Sequence, residues 1–206
     1  MTWLLCWVAC SSFGQLQDST YLKWVVEELC SDGYRNVENP EVLNNKAEFI
    51  FQQLEPYCDT VYYQTFFIQG TAYKNVVGEI GTKGPITVFG AHYDVCNDQA
   101  GADDNASGVA VLCLLSRKIS APMSLGNDRF QLVAYTTEEP PYFRTAFMGS
   151  YLHAKSLYDK GDAVKGMVSL EMLGYFDDAK GSQGYPIKAM RLLYGNKGDF
   201  LAVVGK

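Results

Sequence analysis

Apolar and polar positions alternate with two different periods along this chain, and the change of period marks its elements. In TYLKWVVEELCS, residues 20–31, Trp24, Val25, Leu29 and Cys30 recur at helical spacing and predict an amphipathic helix. A second helix is predicted over NPEVLNNKAEFIFQQLEPY, residues 39–57, with Pro40 suited to its first turn and Pro56 marking its end. The stretch 60–81 is rich in aromatic and β-branched residues and is broken by Gly70, which reads as two strands able to pair. GPITVFGAHYD reads as a buried strand with a polar end, and NASGVAVLCLLSRKI as a helix apolar nearly all round. RFQLVAYTTEE is a second buried strand ending in acids, AFMGSYLHAKSLYDK an amphipathic helix, and VKGMVSLEMLGYF a third strand followed by a carboxylate. Strand and helix in alternation predict an α/β fold: three layers, α/β/α, around a mostly parallel mixed central sheet. The chain shows no internal repeat and no low-complexity segment.

Length and composition narrow the picture. The 206 residues suit one sizeable domain, and an apolar fraction of 48% is that of a globular chain. A net charge of −6 argues against a nucleic-acid partner, which would call for a basic face. Six cysteines, Cys6, Cys10, Cys30, Cys58, Cys96 and Cys113, show neither a CxxC pair nor a zinc-finger spacing. Cys113 reads as a small buried hydrophobe, and Cys96, close to His92, as an uninvolved neighbouring thiol, with a thiolate ligand as the alternative.

The opening MTWLLCWVAC is too short to span a bilayer, and the first basic residue is Lys23, which is unlike a secretory leader. VACSS nevertheless looks like the end of a lipoprotein leader with Cys10 as the lipid-bearing residue. Residues 1–19 are therefore read as a leader or anchor segment, residues 20–206 as the domain, and the protein as extracytoplasmic, whether secreted, periplasmic or lipid-anchored. The alternative is a buried or frayed N-terminal segment.

The candidate chemistry collects after the strands. AHYD (91–94), GADDNASG (101–108), TTEEPP (136–141) and SLEMLGYF (169–176) all follow apolar runs. Open α/β sheets place ligands at the carboxyl ends of their strands. Taken singly, each motif has a plain reading: Asp-Asp-Asn as capping, Glu-Glu-Pro-Pro as a solvated turn, a lone His as a bystander. Together, His92, Asp104, Glu139 and Glu171 form a mixed nitrogen and oxygen set suited to zinc, whose charge offsets the repulsion among the acids. Asp94, two residues after His92, is placed to accept the proton on the imidazole's other nitrogen. Of the adjacent pair Glu138 and Glu139, one is expected to bind metal and the other to act as general base.

These residues carry a resemblance. GAHYD, GADDNASG, Glu138-Glu139-Pro140-Pro141 with Phe143, Thr145 and Met148-Gly149-Ser150, and LEMLGYF together resemble the M28 family of zinc aminopeptidases, over most of the chain from about residue 20. The resemblance implies that His92 binds one zinc, Asp104 bridges two, Glu139 binds the second and Glu171 is a further carboxylate ligand. It implies Glu138 as general base and a peptide with a free N-terminus as substrate. The family has a final His ligand in a later segment; GDFLAVVGK resembles the strand before that segment, and the chain stops at Lys206. His153, on a predicted helix, reads as a surface residue rather than that ligand. A site lacking that ligand leaves an inactive polypeptide as one alternative. A glutaminyl-cyclase-like acyl transferase on the same fold is another, and a non-catalytic module a third.

Overall fold

The computed structural model describes residues 3–120, 128–185, 187 and 189–205, with side chains from residue 17 onward. Helix α1 (Trp3–Cys30) runs without a break through the expected leader boundary, and α2 (Pro40–Leu54) begins on Pro40 as the sequence predicts. The proposed lipid attachment at Cys10 concerns a side chain outside those described. Among the described residues, no helix is long and apolar enough to cross a membrane.

Five strands form one sheet: β1 (Thr60–Ile68), β2 (Thr71–Ile80), β3 (Ile86–His92), β4 (Arg129–Tyr135) and β5 (Val164–Ser169). Their spatial order is β1-β2-β4-β3-β5. The β1–β2 hairpin is antiparallel, as the break at Gly70 implies, and β2 pairs antiparallel with β4. Strands β4, β3 and β5 are mutually parallel, with His92 level with Tyr135. The period of two sorts each strand between two layers. On β4, Leu132 and Ala134 join the core built by α1, α2 and α3 (Gly108–Ile119), whereas Val133 and Tyr135 face the other side with Leu157 of α4 (Gly149–Lys160). The α/β/α layering follows directly from that alternation.

Three expectations are revised. The helix predicted over 105–119 begins at Gly108, because Ala102–Ser107 forms a wider irregular turn with Asp104 and Asn105 outside helical geometry. Short polar side chains that bond to nearby backbone compete with helix there. Residues 200–205, read as strand-like, form no strand; Phe200, Leu201, Val203 and Val204 lie exposed without a sheet neighbour. His153 is not a surface residue: it is 2% exposed, turned inward from α4, with Nδ1 3.2 Å from the Tyr135 hydroxyl.

Burial pushes the His153 imidazole down to about 4 from an ordinary 6.5. The unfolded chain takes up this proton below about pH 6.5, while the folded one refuses it until about pH 4. Stability present above pH 6.5 is therefore lost on acidification across that window, by about 3 kcal/mol for the full shift. Melting curves from pH 4 to 7 should show His153→Phe losing less stability on acidification than the parent. Parallel curves would show that the imidazole is not the acid-sensitive group.

Candidate metal centre

The sheet delivers its residues to one edge. His92 is the last residue of β3, the Glu138–Glu139 pair follows β4, and Glu171 follows β5 by two residues. The turn that carries Asp104 precedes α3. His92, Asp104, Glu138, Glu139, Pro140, Phe143 and Glu171 line a single cleft of about 400 Å³.

Three of these groups converge. His92 Nε2 lies 3.1 Å from Asp104 Oδ1 and 3.1 Å from Glu171 Oε1, and one ligand atom from each residue lies within 4.8 Å of the others. Asp104 Oδ1 is buried and accepts no hydrogen bond, a costly state for a carboxylate oxygen that a cation relieves. One imidazole and several carboxylates are donors suited to zinc. His92 Nδ1 lies 3.1 Å from the Asp94 carbonyl oxygen, which can only accept, so Nδ1–H donates. In the neutral ring this leaves the Nε2 lone pair facing the acids. The role expected of the Asp94 carboxylate thus falls to its backbone. The carboxylate, 3.7 Å from Nδ1, accepts the Glu139 backbone N–H at 2.9 Å and so holds the start of the Glu-Pro-Pro turn.

Burial alone would lower the His92 pKa, but the Asp94 and Glu171 carboxylates outweigh it and push it up to about 11. A proton here does what a cation would do. Burial also raises the Glu138 carboxyl, although hydrogen bonds from Ser150 oppose that shift. Both Glu138 oxygens are engaged at the first turn of α4: Ser150 N–H donates to Oε1 and its hydroxyl to Oε2, each at 2.7 Å. Glu139 is raised by burial and by the neighbouring acids, less the influence of His92.

Sequence reasoning missed the residues that tie these loops together. Asn105, fully buried, donates through Nδ2 to the Leu170 carbonyl and the Glu171 carboxylate. Its Oδ1 accepts from the Met172 and Gly108 backbone N–H groups. Ser107 accepts from Leu173 N–H, and Asp103 accepts from Gly174 and Tyr175 N–H. Behind the turn, buried Arg35 donates to the Ala100 and Gly101 carbonyls. The polar run Asp103-Asp104-Asn105 is a signal for bonding to backbone, but the partners that tie it to the Glu171 segment lie more than 60 residues away. Thr137, Arg144 and Met172, at φ 58°, 60° and 48°, are non-glycine residues in left-handed backbone around the acidic segments. Such conformations persist where surrounding structure enforces them. Tyr142 packs against Tyr73 and Phe147, whereas Phe143 stands in the cleft, so the two adjacent aromatics have separate uses. Cys96 is not part of the converging group; Asn97 Nδ2 donates to its sulfur.

Known proteins resemble this chain in sequence and in fold. Over 181 residues the chain is 46% identical to the uncharacterized protein YfbL of Escherichia coli K12, covering 84% of this chain and 54% of YfbL. It thus spans about half the length of that relative. LapB of Legionella pneumophila superposes with a TM-score of 0.64 at 25% identity, over 79% of this chain and 45% of LapB. A Zn-dependent exopeptidase of Parabacteroides distasonis gives 0.63 at 20% identity, over 78% of this chain and 63% of its own. A glutaminyl cyclase of Tannerella forsythia gives 0.63 at 22% identity, over 89% and 75% respectively. These similarities establish an α/β fold of the zinc-exopeptidase type. Residues 75–194, which carry β3 to β5 and every acid of the cleft, match the model of peptidase family M28, and the chain belongs to that family.

Proposed function

We propose that this chain carries the zinc-binding and proton-transferring part of a di-zinc aminopeptidase site. The observation that carries the reading is the convergence of His92, Asp104 and Glu171 on one point, with a buried Asp104 oxygen left without a hydrogen bond. His92, Asp104 and Glu171 would hold one zinc; Asp104 and Glu139 would begin a second site. Bound there, zinc supplies Lewis acidity and makes water acidic enough to ionise near neutral pH.

The chain's own residues supply the proton handling. Glu138, held by Ser150 and raised by burial, takes a proton from the attacking water and returns it to the leaving amine as the peptide C–N bond breaks. The carboxylates around the cleft favour a free α-ammonium group, which suits a peptide N-terminus. The acidic cleft and the net charge of −6 agree with a peptide rather than a nucleic acid as partner. Placement outside the cytoplasm belongs to the same proposal.

Glutaminyl cyclases share the fold, so the two chemistries are separated by their products. Zinc-loaded protein incubated with an unblocked Gln-led peptide should release the first residue, read by mass spectrometry, and should leave an N-acetylated copy intact. Loss of ammonia without loss of a residue would select the cyclase reading instead.

Zinc binding should also displace the proton held by His92. Calorimetric titration in buffers of differing ionisation enthalpy should show about one proton released per zinc between pH 7 and 9. No release would mean that His92 is not a ligand.

A further inference from the structure

Glu138 is held from the hairpin side of the sheet. Both of its carboxylate oxygens rest on Ser150, so its place depends on where the first turn of α4 sits. Two side-chain amides of the β1–β2 hairpin hold that turn. Asn75 of β2 and Gln64 of β1 stand opposite each other in the register, and side chains opposite in an antiparallel pair share a face. Asn75 Nδ2 donates to Gln64 Oε1 and to the Gly149 carbonyl, each at 2.8 Å. Gln64 Nε2 donates to the Leu152 carbonyl at 3.4 Å. Asn75 Oδ1 accepts the Thr136 backbone N–H at 3.1 Å, and the Thr136 carbonyl accepts the Gly149 N–H at 3.0 Å. Asn75, fully buried, therefore ties the end of β4, two residues before Glu138, to the start of α4, one residue before Ser150. Both partners of the Glu138–Ser150 contact hang from this one amide.

The tie leaves no room to spare. A Cβ on Gly149 would come within 2.1 Å of Asn75 Oδ1 and 2.5 Å of the Thr136 carbonyl oxygen. A buried polar group with all its bonds made rigidifies what it joins, whereas an apolar side chain of similar size fills space without fixing direction.

We infer that Asn75, with Gln64 beside it, is a positioning residue for the general base: it acts through Ser150 of α4 and does not touch substrate. The inference rests on the role given to Glu138 in the proposed function. Displacing a reacting group by about 1 Å can cost on the order of 10²-fold in rate, so the tie bears on turnover rather than on substrate binding.

Amide exchange in the metal-free protein reads the tie without turnover. Asn75→Ala should speed exchange at Gly149 and Ser150 by about tenfold and leave β3 near the parental rate. Gln64→Leu, on the part-buried edge strand, should speed the same two amides by roughly threefold while keeping Asn75 itself in place. With zinc-loaded protein, Asn75→Ala should lower kcat on an unblocked peptide by about 10–10²-fold at an unchanged KM. In a Glu138→Gln background the same substitution should cost nothing further, because the base that it positions is gone. Parental exchange at Ser150 in both variants, acceleration spread equally through β3, or a full further loss in the Glu138→Gln background would each overturn the inference. A parent that hydrolyses no peptide would instead refute the proposed activity, and exchange at Ser150 would then decide whether Asn75 holds Glu138.

Discussion

Glu138→Gln should lower the turnover of an unblocked peptide by about 10²–10⁴-fold while leaving bound zinc and the melting temperature nearly unchanged. The amide is nearly the same size, so the Ser150 hydroxyl and N–H can still be met at one oxygen. What disappears is the capacity to take a proton at a carboxylate raised by burial. Glu139→Gln separates the neighbouring role: it should reduce zinc content as well as rate, because Glu139 is proposed here as a ligand of the second zinc rather than as the base. Turnover by Glu138→Gln within a few-fold of the parent would remove the assigned base. Equal zinc loss in both variants would mean that the two acids do not divide the work.

Asn105→Leu should be the most damaging change that replaces no proposed metal ligand. The Asn105 side chain makes four hydrogen bonds, and three of them fasten the turn holding Asp104 to the segment holding Glu171. Leucine is similar in volume but leaves the Leu170 carbonyl and the Met172 N–H without their partner. A fully buried orphaned group costs about 1–3 kcal/mol; Leu170 is half-buried and Met172 is exposed, so a loss of about 2–3 kcal/mol is expected. Denaturant unfolding reads that cost. Zinc affinity should fall in step, because the distance between Asp104 and Glu171 is no longer held. A variant of parental stability with weakened zinc binding would show that Asn105 orients ligands without supporting the fold. Parental values of both would dismiss the tie altogether.

Much of this site is legible in the order of residues alone. The apolar runs at 86–92 and 129–135 and the acids that follow them place His92 and the Glu pair at one sheet edge, because parallel strands in an α/β fold share a carboxyl end. The element types follow from periodicity and from the punctuation of Pro40 and Gly70. The insertion of β4 between β2 and β3 is not legible, since a strand's own pattern does not name its partner. His153 misleads for a related reason. Helical spacing shows that α4 has a buried face but not how deeply Tyr135 draws one of its members in. Asn105 and Asp103 escape because long-range hydrogen bonding leaves no periodic trace, and Asp94 escapes in part because a backbone carbonyl carries no sequence signature.

X-ray absorption at the zinc edge tests the proposed centre most directly, using protein loaded with one equivalent of zinc. The arrangement of His92, Asp104 and Glu171 predicts a first shell of nitrogen and oxygen near 2.0–2.2 Å with the signature of a single imidazole, lost in His92→Ala. A sulfur shell near 2.3 Å, or an imidazole signal that survives His92→Ala, would contradict it.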